Sequence, residues 1–325
     1  MNERYLEALQ QYELELGTVR KGRSGWICET DQGIKLLKEY RGTIKRLEFE
    51  SQVLGQVQET GYKQVDSYLK NKQDEWITLS EDGTRHVLKN WFLDRECNLK
   101  EREEIMAAVT QIAKLHKILR QIPQGEDWSL GSIAVEPMYC EMERHNKELQ
   151  RAHNYMRGKR KKTEFELCVI SNFYFFYQQA KEAQKGLKQL WEDNPDPAQH
   201  LCHGDLDHHH VLIGRSSIAI IEYNKMHLGN QMTDLYHFMR KAMEKHDWNQ
   251  NLGRDMLAAY HKILPLTEAD RTYLYYLFLY PEKYWKQINF YFNANKAWIP
   301  SRNVEKLCAL EAQSETKNQF LSKIK

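Results

Sequence analysis

The loop from Cys202 to Val211 and the hairpin after it carry the side chains best suited to chemistry. The sequence reads His-Gly-Asp at 203–205, a polar side chain at His210, and an acidic residue, Glu222, after the apolar run 218–221. In a phosphotransferase, one Asp orients or deprotonates the acceptor hydroxyl, while an Asn and a second Asp hold Mg²⁺ on the nucleotide phosphates. This pattern assigns the catalytic role to Asp205 and the metal positions to His210 and Glu222.

The two metal positions differ from what Mg²⁺ prefers. His210 stands where the pattern has Asn, and imidazole is a poor ligand for a cation that favours oxygen. Glu222 keeps a carboxylate but reaches one methylene further than Asp, and Asn224 is uncharged. These substitutions predict a phosphotransferase-like scaffold whose transfer activity is weakened or lost.

Candidates for nucleotide binding lie in the first 60 residues. Phosphotransferases use a strand lysine on the nucleotide phosphates, paired with a glutamate on the following helix, and Lys38 and Glu50 fit these roles. Gly22 and Gly25 lie in a turn between two predicted strands and would let backbone N–H groups approach a phosphate. The alternatives are a solvated strand lysine and a plain hairpin.

Two further residues are predicted to support the loop rather than to react. His203 would hydrogen-bond backbone within the loop, and Asp234, at the start of a later helix, would hold the loop from outside.

A zinc site is an alternative for this loop, since Cys202, His203 and residues 207–210 are ligand types that suit zinc. Consecutive histidines on one loop rarely converge on a single ion. The sequence therefore favours adventitious metal binding over a physiological zinc site.

Composition and short motifs exclude several classes of protein. Lys plus Arg exceed Asp plus Glu by only 47 − 45 = 2, which gives no bulk field for nucleic acid. The chain contains neither a GxxxxGK[ST] motif nor a CxxC pair, which excludes P-loop nucleotidases and zinc ribbons. Residues 1–5 are polar and no apolar run approaches the roughly 18 residues of a membrane span. We therefore expect a cytosolic protein without a membrane segment.

The elements that must position the candidate residues predict an α+β fold with two lobes. Residues 1–90 predict a β-rich lobe with a small antiparallel sheet and one helix, 91–98 a hinge, and 99–325 a helical lobe that carries the segment 203–224. Periodicity and capping signals predict helices at 3–16, 43–60, 101–122, 136–159, 164–192, 232–245, 252–263, 269–280 and 304–324. Strands are predicted at 18–28, 33–38, 64–69, 75–79 and 86–88.

The order of these features resembles the aminoglycoside phosphotransferase and choline kinase superfamily, and more specifically the CotS-type spore coat proteins of endospore-forming Firmicutes. The segments that carry the resemblance are LKNWFLDREC at 88–97, LHKIL at 115–119, CHGDLDHHHVL at 202–212, TDLYHFMRK at 233–241, LYPEKYW at 279–285 and NKAWIP at 295–300. The resemblance implies a two-lobed protein kinase-like fold and other spore coat proteins as partners. It implies ATP with Mg²⁺ or Mn²⁺ for any transfer, and synthesis in the mother-cell cytoplasm followed by incorporation into the coat.

Three functional hypotheses follow. The favoured one is a structural coat component on a degenerate kinase-like scaffold, without a firmly assigned cofactor. The second is an active ATP-dependent phosphotransferase that acts on a small molecule or a coat protein through Asp205, Lys38 and Glu222. The third is a nucleotide-binding regulatory pseudoenzyme. The acceptor cannot be deduced, because a fold does not fix the site that is built on it.

Overall fold

The computed structural model describes residues 4–125, 128, 133–194, 199–293 and 301–324. The chain forms two compact units, the first from residues 1–134 and 200–229 and the second from 135–199 and 230–325. The predicted lobe boundaries at residues 90 and 98 differ from these divisions and stay a prediction. The predicted motif at 295–300 lies outside the described residues.

The first unit is built around an antiparallel sheet. Its strands run in the order β1-β2-β3-β6-β4, and β5 also pairs with β6. Leu37 of β3 lies opposite Leu88 of β6, and both side chains are fully buried, so that an apolar cross-strand pair stabilises the centre of the sheet. The strand bounds are β1 Leu16–Lys21, β2 Trp26–Thr30, β3 Gly33–Glu39, β4 Tyr68–Leu69, β5 Thr78–Leu79 and β6 Arg85–Asn90.

Three helices accompany this sheet: α1 Arg4–Gln10, α2 Ile44–Glu59 and α3 Arg102–Leu119. Helix α2 begins where the sequence predicts, because the side chain of Thr43 accepts the N–H of Arg46 at 3.2 Å and caps the helix. Its buried apolar residues recur at helical spacing, and Glu50 lies beside them with only 1% of its surface exposed.

Short strands hold the segment 203–224 within the first unit. Strand β9 (Val211–Ile213) forms an antiparallel hairpin with β10 (Ile218–Ile220), and β7 (Arg95–Glu96) pairs with the other edge of β9. Strand β8 (His200–Cys202) pairs with β11 (His227–Gly229). A single parallel bridge also joins Val65 to Ile220. The loop, the hairpin and the chain that leads into β4 are therefore fixed to one another.

The second unit is helical in its described part. Thr163 and Thr267 each cap a helix through the capping box that the sequence predicts, with side chain and backbone bonds to Glu166 and Asp270 respectively. None of the helices in the described ranges combines the length and the apolar character needed to cross a bilayer. The helix bounds are α4 Met138–Gly158, α5 Glu164–Asp193, α6 Met232–Lys245, α7 Gln250–Ile263, α8 Glu268–Leu279, α9 Glu282–Asn293, α10 Ser301–Ala312 and α11 Ser314–Ile324.

Two predicted helices have the wrong extent. The helix predicted at 3–16 ends at Gln10, because the carbonyl of Gln11 accepts the N–H of Lys72 at 2.9 Å and Leu16 already pairs with Thr30 in the sheet. The helix predicted at 304–324 is two helices, since α10 packs on α5 and α9 whereas α11 packs on α7 and α8. Tertiary contacts override helical periodicity in both places.

The strand predicted at 18–28 is two strands, β1 and β2, joined by the turn that holds Gly22 and Gly25. Two further predicted strands are shorter than expected. The pattern at 64–69 yields a strand only at Tyr68–Leu69, and the pattern at 75–79 yields one only at Thr78–Leu79. In each case the strand begins where the chain comes alongside β6, which supplies the pairing partner.

Candidate active site

The loop around Asp205 is held by backbone hydrogen bonds to a buried histidine. Nε2 of His203 lies 2.9 Å from the carbonyl oxygen of Ile221, and its Nδ1 accepts the N–H of Asp205 at 3.2 Å. The ring is fully buried. These are contacts that suit the supporting role predicted for His203.

Gly204 has to be a glycine in this loop. Its φ is +84°, and a Cβ built on it would lie 2.1 Å from the carbonyl oxygen of Lys225. The residue before Asp205 is therefore packed directly against the backbone after Glu222.

The side chain of Asp205 lies at the surface and is paired with a lysine. Its Oδ2 is 2.9 Å from Nζ of Lys225, and 41% of the side chain is exposed. His210 turns toward its own loop, where Nδ1 lies 2.5 Å from the carbonyl oxygen of Asp205. The lysine partner was not predicted, although its place three residues after Glu222 could have drawn attention to it.

Glu222 is buried and enclosed by polar partners. Its backbone is left-handed, with φ +68°, and its N–H donates to Oδ2 of Asp66 at 3.0 Å. Lys38 donates to its Oε2 at 2.6 Å, and only 8% of the side chain is exposed. Burial acts to raise the pKa of Glu222, but Lys89 and Lys38 outweigh it, so that this pKa lies below the usual value. Glu222 is therefore ionised and already neutralised by lysines.

Lys89 and Asp66, which the sequence analysis did not single out, form a second ion pair next to Glu222. Together with Lys38 and Glu222 they make up a cluster of four charged residues. Nζ of Lys89 lies 2.5 Å from Oδ2 of Asp66, and both side chains are at most 2% exposed. The ammonium of Lys89 also stands over the ring of Tyr68, 4.5 Å from its centre. The available signal was a charged residue inside one predicted strand, Asp66, and another directly after the next, Lys89, since such residues are rarely buried unless they are paired.

The predicted pairing of Lys38 with Glu50 is not the one in the structure. Glu50 accepts hydrogen bonds from Nε of Arg46 and from the hydroxyl of Tyr68, each at 2.6 Å. Arg46 is one helical turn before Glu50 and competes for its carboxylate with the advantage of proximity. Lys38 reaches across to Glu222 instead.

The turn that holds Gly22 and Gly25 is closed by a 2.7 Å hydrogen bond from the N–H of Gly22 to the carbonyl of Gly25. A Cβ at Gly25 would lie 2.3 Å from the carbonyl oxygen of Leu37, so the turn is packed against β3. Ser24 in this turn helps to lower the pKa of Glu222, and Arg23 pairs with Glu96 at 2.7 Å. The turn thus lies beside the residue predicted to hold a metal.

Asp234 lies in the second unit, in the first turn of α6, and is 1% exposed. Its predicted role in holding the Asp205 loop stays a prediction.

The donor set does not fit Mg²⁺ well. Mg²⁺ prefers oxygen ligands in octahedral geometry, and His210 offers nitrogen. The formal charges of Lys38, Asp66, Lys89 and Glu222 sum to zero, and the neighbouring pair Arg46–Glu50 adds no net charge. Two buried oxygens, Oε1 of Glu222 and Oδ1 of Asp66, nevertheless have no hydrogen-bond partner in the part of the chain that the structure describes. These atoms would be the first to meet a cation.

The profile of the family described as spore coat putative kinase YutH matches residues 7–324. The chain belongs to this family. Its spore coat membership agrees with the resemblance drawn from the sequence. A comparison with curated proteins gave no match.

Several solved structures share the fold of this coat-family protein. An aminoglycoside phosphotransferase from Alicyclobacillus acidocaldarius is 15% identical over 98% of this chain and 94% of its own, with a TM-score of 0.83. The spectinomycin phosphotransferase APH(9)-Ia, solved with ADP and spectinomycin, is 13% identical over 97% and 92%, with a TM-score of 0.64. A microcompartment-associated aminopropanol kinase is 14% identical over 98% and 97%, also at 0.64. At these identities the likeness shows the fold alone, which is the predicted kinase-like α+β fold.

Proposed function

We propose that this protein is a structural component of the spore coat, built on a phosphotransferase-like scaffold whose transfer chemistry is degenerate. Membership in the coat family supports the location and the partners, which would be other coat proteins met first in the mother-cell cytoplasm. The observation that carries the loss of chemistry is the buried pair between Lys38 and Glu222 at 2.6 Å. The lysine that would meet phosphate and the carboxylate that would meet metal neutralise each other.

The cost of opening this pair argues against efficient nucleotide use. A nucleotide would need Lys38 to leave Glu222, and the carboxylate would then be buried beside Lys89 alone unless a cation replaced the lost charge. Because 27% of the Lys38 side chain is exposed, breaking this pair costs about 1.5–3 kcal/mol, the range for hydrogen bonds to charged groups. His210, which occupies the second metal position, is a poor ligand for the Mg²⁺ that would have to supply that charge.

The turn from Gly22 to Gly25 adds to the same argument. In phosphotransferases the equivalent turn covers the nucleotide phosphates through its backbone. Here Ser24 helps to lower the pKa of Glu222 and Arg23 pairs with Glu96, so the turn is held beside the carboxylate that a metal would contact.

Complementation of spores that lack the protein separates a scaffold from an enzyme. We expect Asp205→Asn to restore the coat protein pattern as fully as the native chain does, because the substitution keeps shape and removes only the carboxylate. A coat that is rebuilt by the native chain and not by Asp205→Asn, with both present at equal levels, would contradict the proposal.

Nucleotide binding gives a second, independent measurement. Purified protein is titrated with ATP and GTP, each without metal, with Mg²⁺ and with Mn²⁺, while its melting temperature is followed. A ligand at about 100 times its Kd stabilises a protein by roughly 2.7 kcal/mol, a shift of several degrees. We expect no shift; a shift without turnover would indicate a nucleotide-binding pseudoenzyme with a regulatory role.

An active phosphotransferase is the second candidate function, and one observation favours it. Oε1 of Glu222 and Oδ1 of Asp66 are buried acceptors without a hydrogen-bond partner in the described residues, which suits a bound cation. Mn²⁺ accepts imidazole more readily than Mg²⁺ does, so His210 would be tolerated in its site. Transfer that requires Mn²⁺ and disappears in Asp205→Asn would support this candidate.

A further inference from the structure

We propose that Asp207, His208 and His209 form a binding site for one zinc-class divalent cation, distinct from the His210 and Glu222 positions. One ligand atom from each of the three side chains lies within 4.8 Å of the others. This arrangement goes beyond the proposed scaffold function and does not depend on it.

The local backbone explains why three consecutive side chains converge. The carboxylate of Asp207 accepts the N–H of His209 at 2.9 Å, and residues His208–His210 form a tight 3₁₀ turn. In an extended segment, successive side chains point to opposite faces. The capped turn removes that alternation, which is why the sequence argument against convergence does not hold for this loop.

The ligand types select the class of cation. Two imidazoles and one carboxylate suit Zn²⁺, and Co²⁺ and Ni²⁺ accept the same donors, whereas Mg²⁺ and Ca²⁺ require mostly oxygen. Three protein ligands leave the fourth tetrahedral position open to water or to a further partner. All three residues are half-buried, so the cation would be reachable from solvent.

A carboxylate from a distant strand orients one of the histidines. Oε2 of Glu96, on β7, lies 2.5 Å from Nδ1 of His209. With Nδ1–H donated to Glu96, Nε2 is the nitrogen left for a cation. A histidine held by a carboxylate through its second nitrogen is the usual arrangement in metal sites, and it tunes both the ring orientation and its basicity. Glu96 is therefore a positioning residue for this site.

Cation binding here requires two side-chain rearrangements, and the first concerns the positively charged neighbour Arg23. Nη1 of Arg23 lies 3.1 Å from Nδ1 of His209, but its side chain is 68% exposed and is paired with Glu96. Zn–N and Zn–O bonds are about 2.0–2.2 Å, so the ligand atoms must also draw closer than their present spacing. The exposed arginine and the half-buried histidines allow both adjustments by rotation of side chains.

The test is calorimetric titration of the intact protein with ZnCl₂, followed by dialysis against a weak chelator and measurement of retained zinc. We expect one zinc per chain. Asp207→Asn keeps the turn, because an amide oxygen still accepts the N–H of His209, and should weaken zinc binding at least tenfold. His208→Ala and His209→Ala should do the same, and Glu96→Gln should weaken it by about 10- to 100-fold.

The matched control is His246→Asn, which removes a histidine at the end of α6 in the second unit and should leave zinc affinity unchanged. The metal-free unfolding midpoint of each variant shows whether it is folded. Zinc that binds equally well to folded Asp207→Asn, or that is weakened as strongly in His246→Asn as in Asp207→Asn, would overturn the proposal. Release of all zinc on dialysis, with no stoichiometric binding by the native chain, would overturn it as well and identify the binding as adventitious.

Discussion

Each unit of this protein contains a cluster of ion pairs around buried carboxylates, but the pairs are formed in opposite ways, by distant residues in one unit and mostly by near neighbours in the other. In the first unit, Lys38, Asp66, Lys89 and Glu222 come from four separate segments, and the pair Lys38–Glu222 joins residues 184 positions apart. In the second unit, the bonds of Arg240 to Glu244 and of Lys286 to Glu282 each span one helical turn. The links from Arg240 to Glu282, at 3.3 Å, and from Lys283 to Glu244, at 3.5 Å, join α6 to α9.

The two clusters also differ in their polar atoms. In the first, buried carboxylate oxygens of Glu222 and Asp66 have no hydrogen-bond partner among the described residues. In the second, Nε of Arg240 makes no well-aligned hydrogen bond but lies 3.3 Å from Oε2 of Glu282, so its charge is paired. Unpartnered carboxylate oxygens suit a cation, whereas a guanidinium that is already paired with a carboxylate needs no further ligand. The cluster of the first unit therefore has unpartnered oxygen atoms suited to a cation, whereas the cluster of the second unit serves mainly to join helices.

The largest effect is expected from Lys89→Met, which tests whether the first cluster carries stability as well as chemistry. Asp66 would be left fully buried without its lysine, and removing one partner of a buried pair costs about 3–5 kcal/mol. The measurement is the free energy of unfolding in urea. The control is Lys70→Met, which breaks an exposed pair with Asp74 and should cost no more than about 1 kcal/mol. Equal losses in the two variants would contradict the comparison.

The second cluster should respond most strongly to acid. Burial acts to raise the pKa of Glu282, but Arg240 and Lys286 outweigh it and lower this pKa from 4.5 to about 2. Because the folded pKa is the lower one, the stabilisation is present above pH 4.5 and is lost as the pH falls toward 2. A shift of this size corresponds to about 3 kcal/mol.

This acid effect is measured as the difference in unfolding free energy between pH 7 and pH 2 for the native chain and for Glu282→Gln. The variant should show the smaller difference, since its amide does not titrate. If both chains lose the same stability, Glu282 is not the group responsible.

The contrast between the clusters also explains what the sequence could and could not predict. Helix α6 was predicted with its observed bounds, and the capping boxes at Thr163 and Thr267 were found because their signals lie within four residues. Pairs such as Arg240–Glu244 follow the same local rule. Predictions that need only local geometry therefore succeeded most often, and the fold could be assigned from them together with the loop pattern.

Partners in the candidate site could not be predicted in this way. The sequence predicts Glu50 as the partner of Lys38, because Glu50 lies beside the apolar stripe of the helix that follows the strand. In the structure, Glu50 accepts hydrogen bonds from Arg46 and Tyr68. Lys38 bonds Glu222 instead, because the hairpin 211–220 places Glu222 near the end of β3. Asp66 and Lys89 were missed because only tertiary burial makes their pairing necessary.

A smaller effect is expected from Lys38→Met, which removes the contact on which the proposed loss of chemistry depends. Glu222 keeps the electrostatic influence of Lys89, so we expect a loss of about 1.5–3 kcal/mol, the range for hydrogen bonds to charged groups. The pKa of Glu222 should rise, because one of the two lysines that lower it is gone. The double variant with Glu222→Gln should lose less than the sum of the two single changes; simple additivity would show that the pair is not formed in solution.

The smallest effect is expected from Lys225→Met, which breaks the surface ion pair with Asp205, the aspartate predicted to be catalytic. Both side chains are well exposed, at 58% for Lys225 and 41% for Asp205, so solvent and salt screen their attraction. A double-variant cycle with Asp205→Asn should give a coupling of at most about 1 kcal/mol, and 1 M salt should abolish it. A larger, salt-resistant coupling would mean that the loop is locked by this pair. Asp205 would then be as firmly neutralised as Glu222, and the first cluster would extend to every acidic residue predicted to take part in phosphoryl transfer.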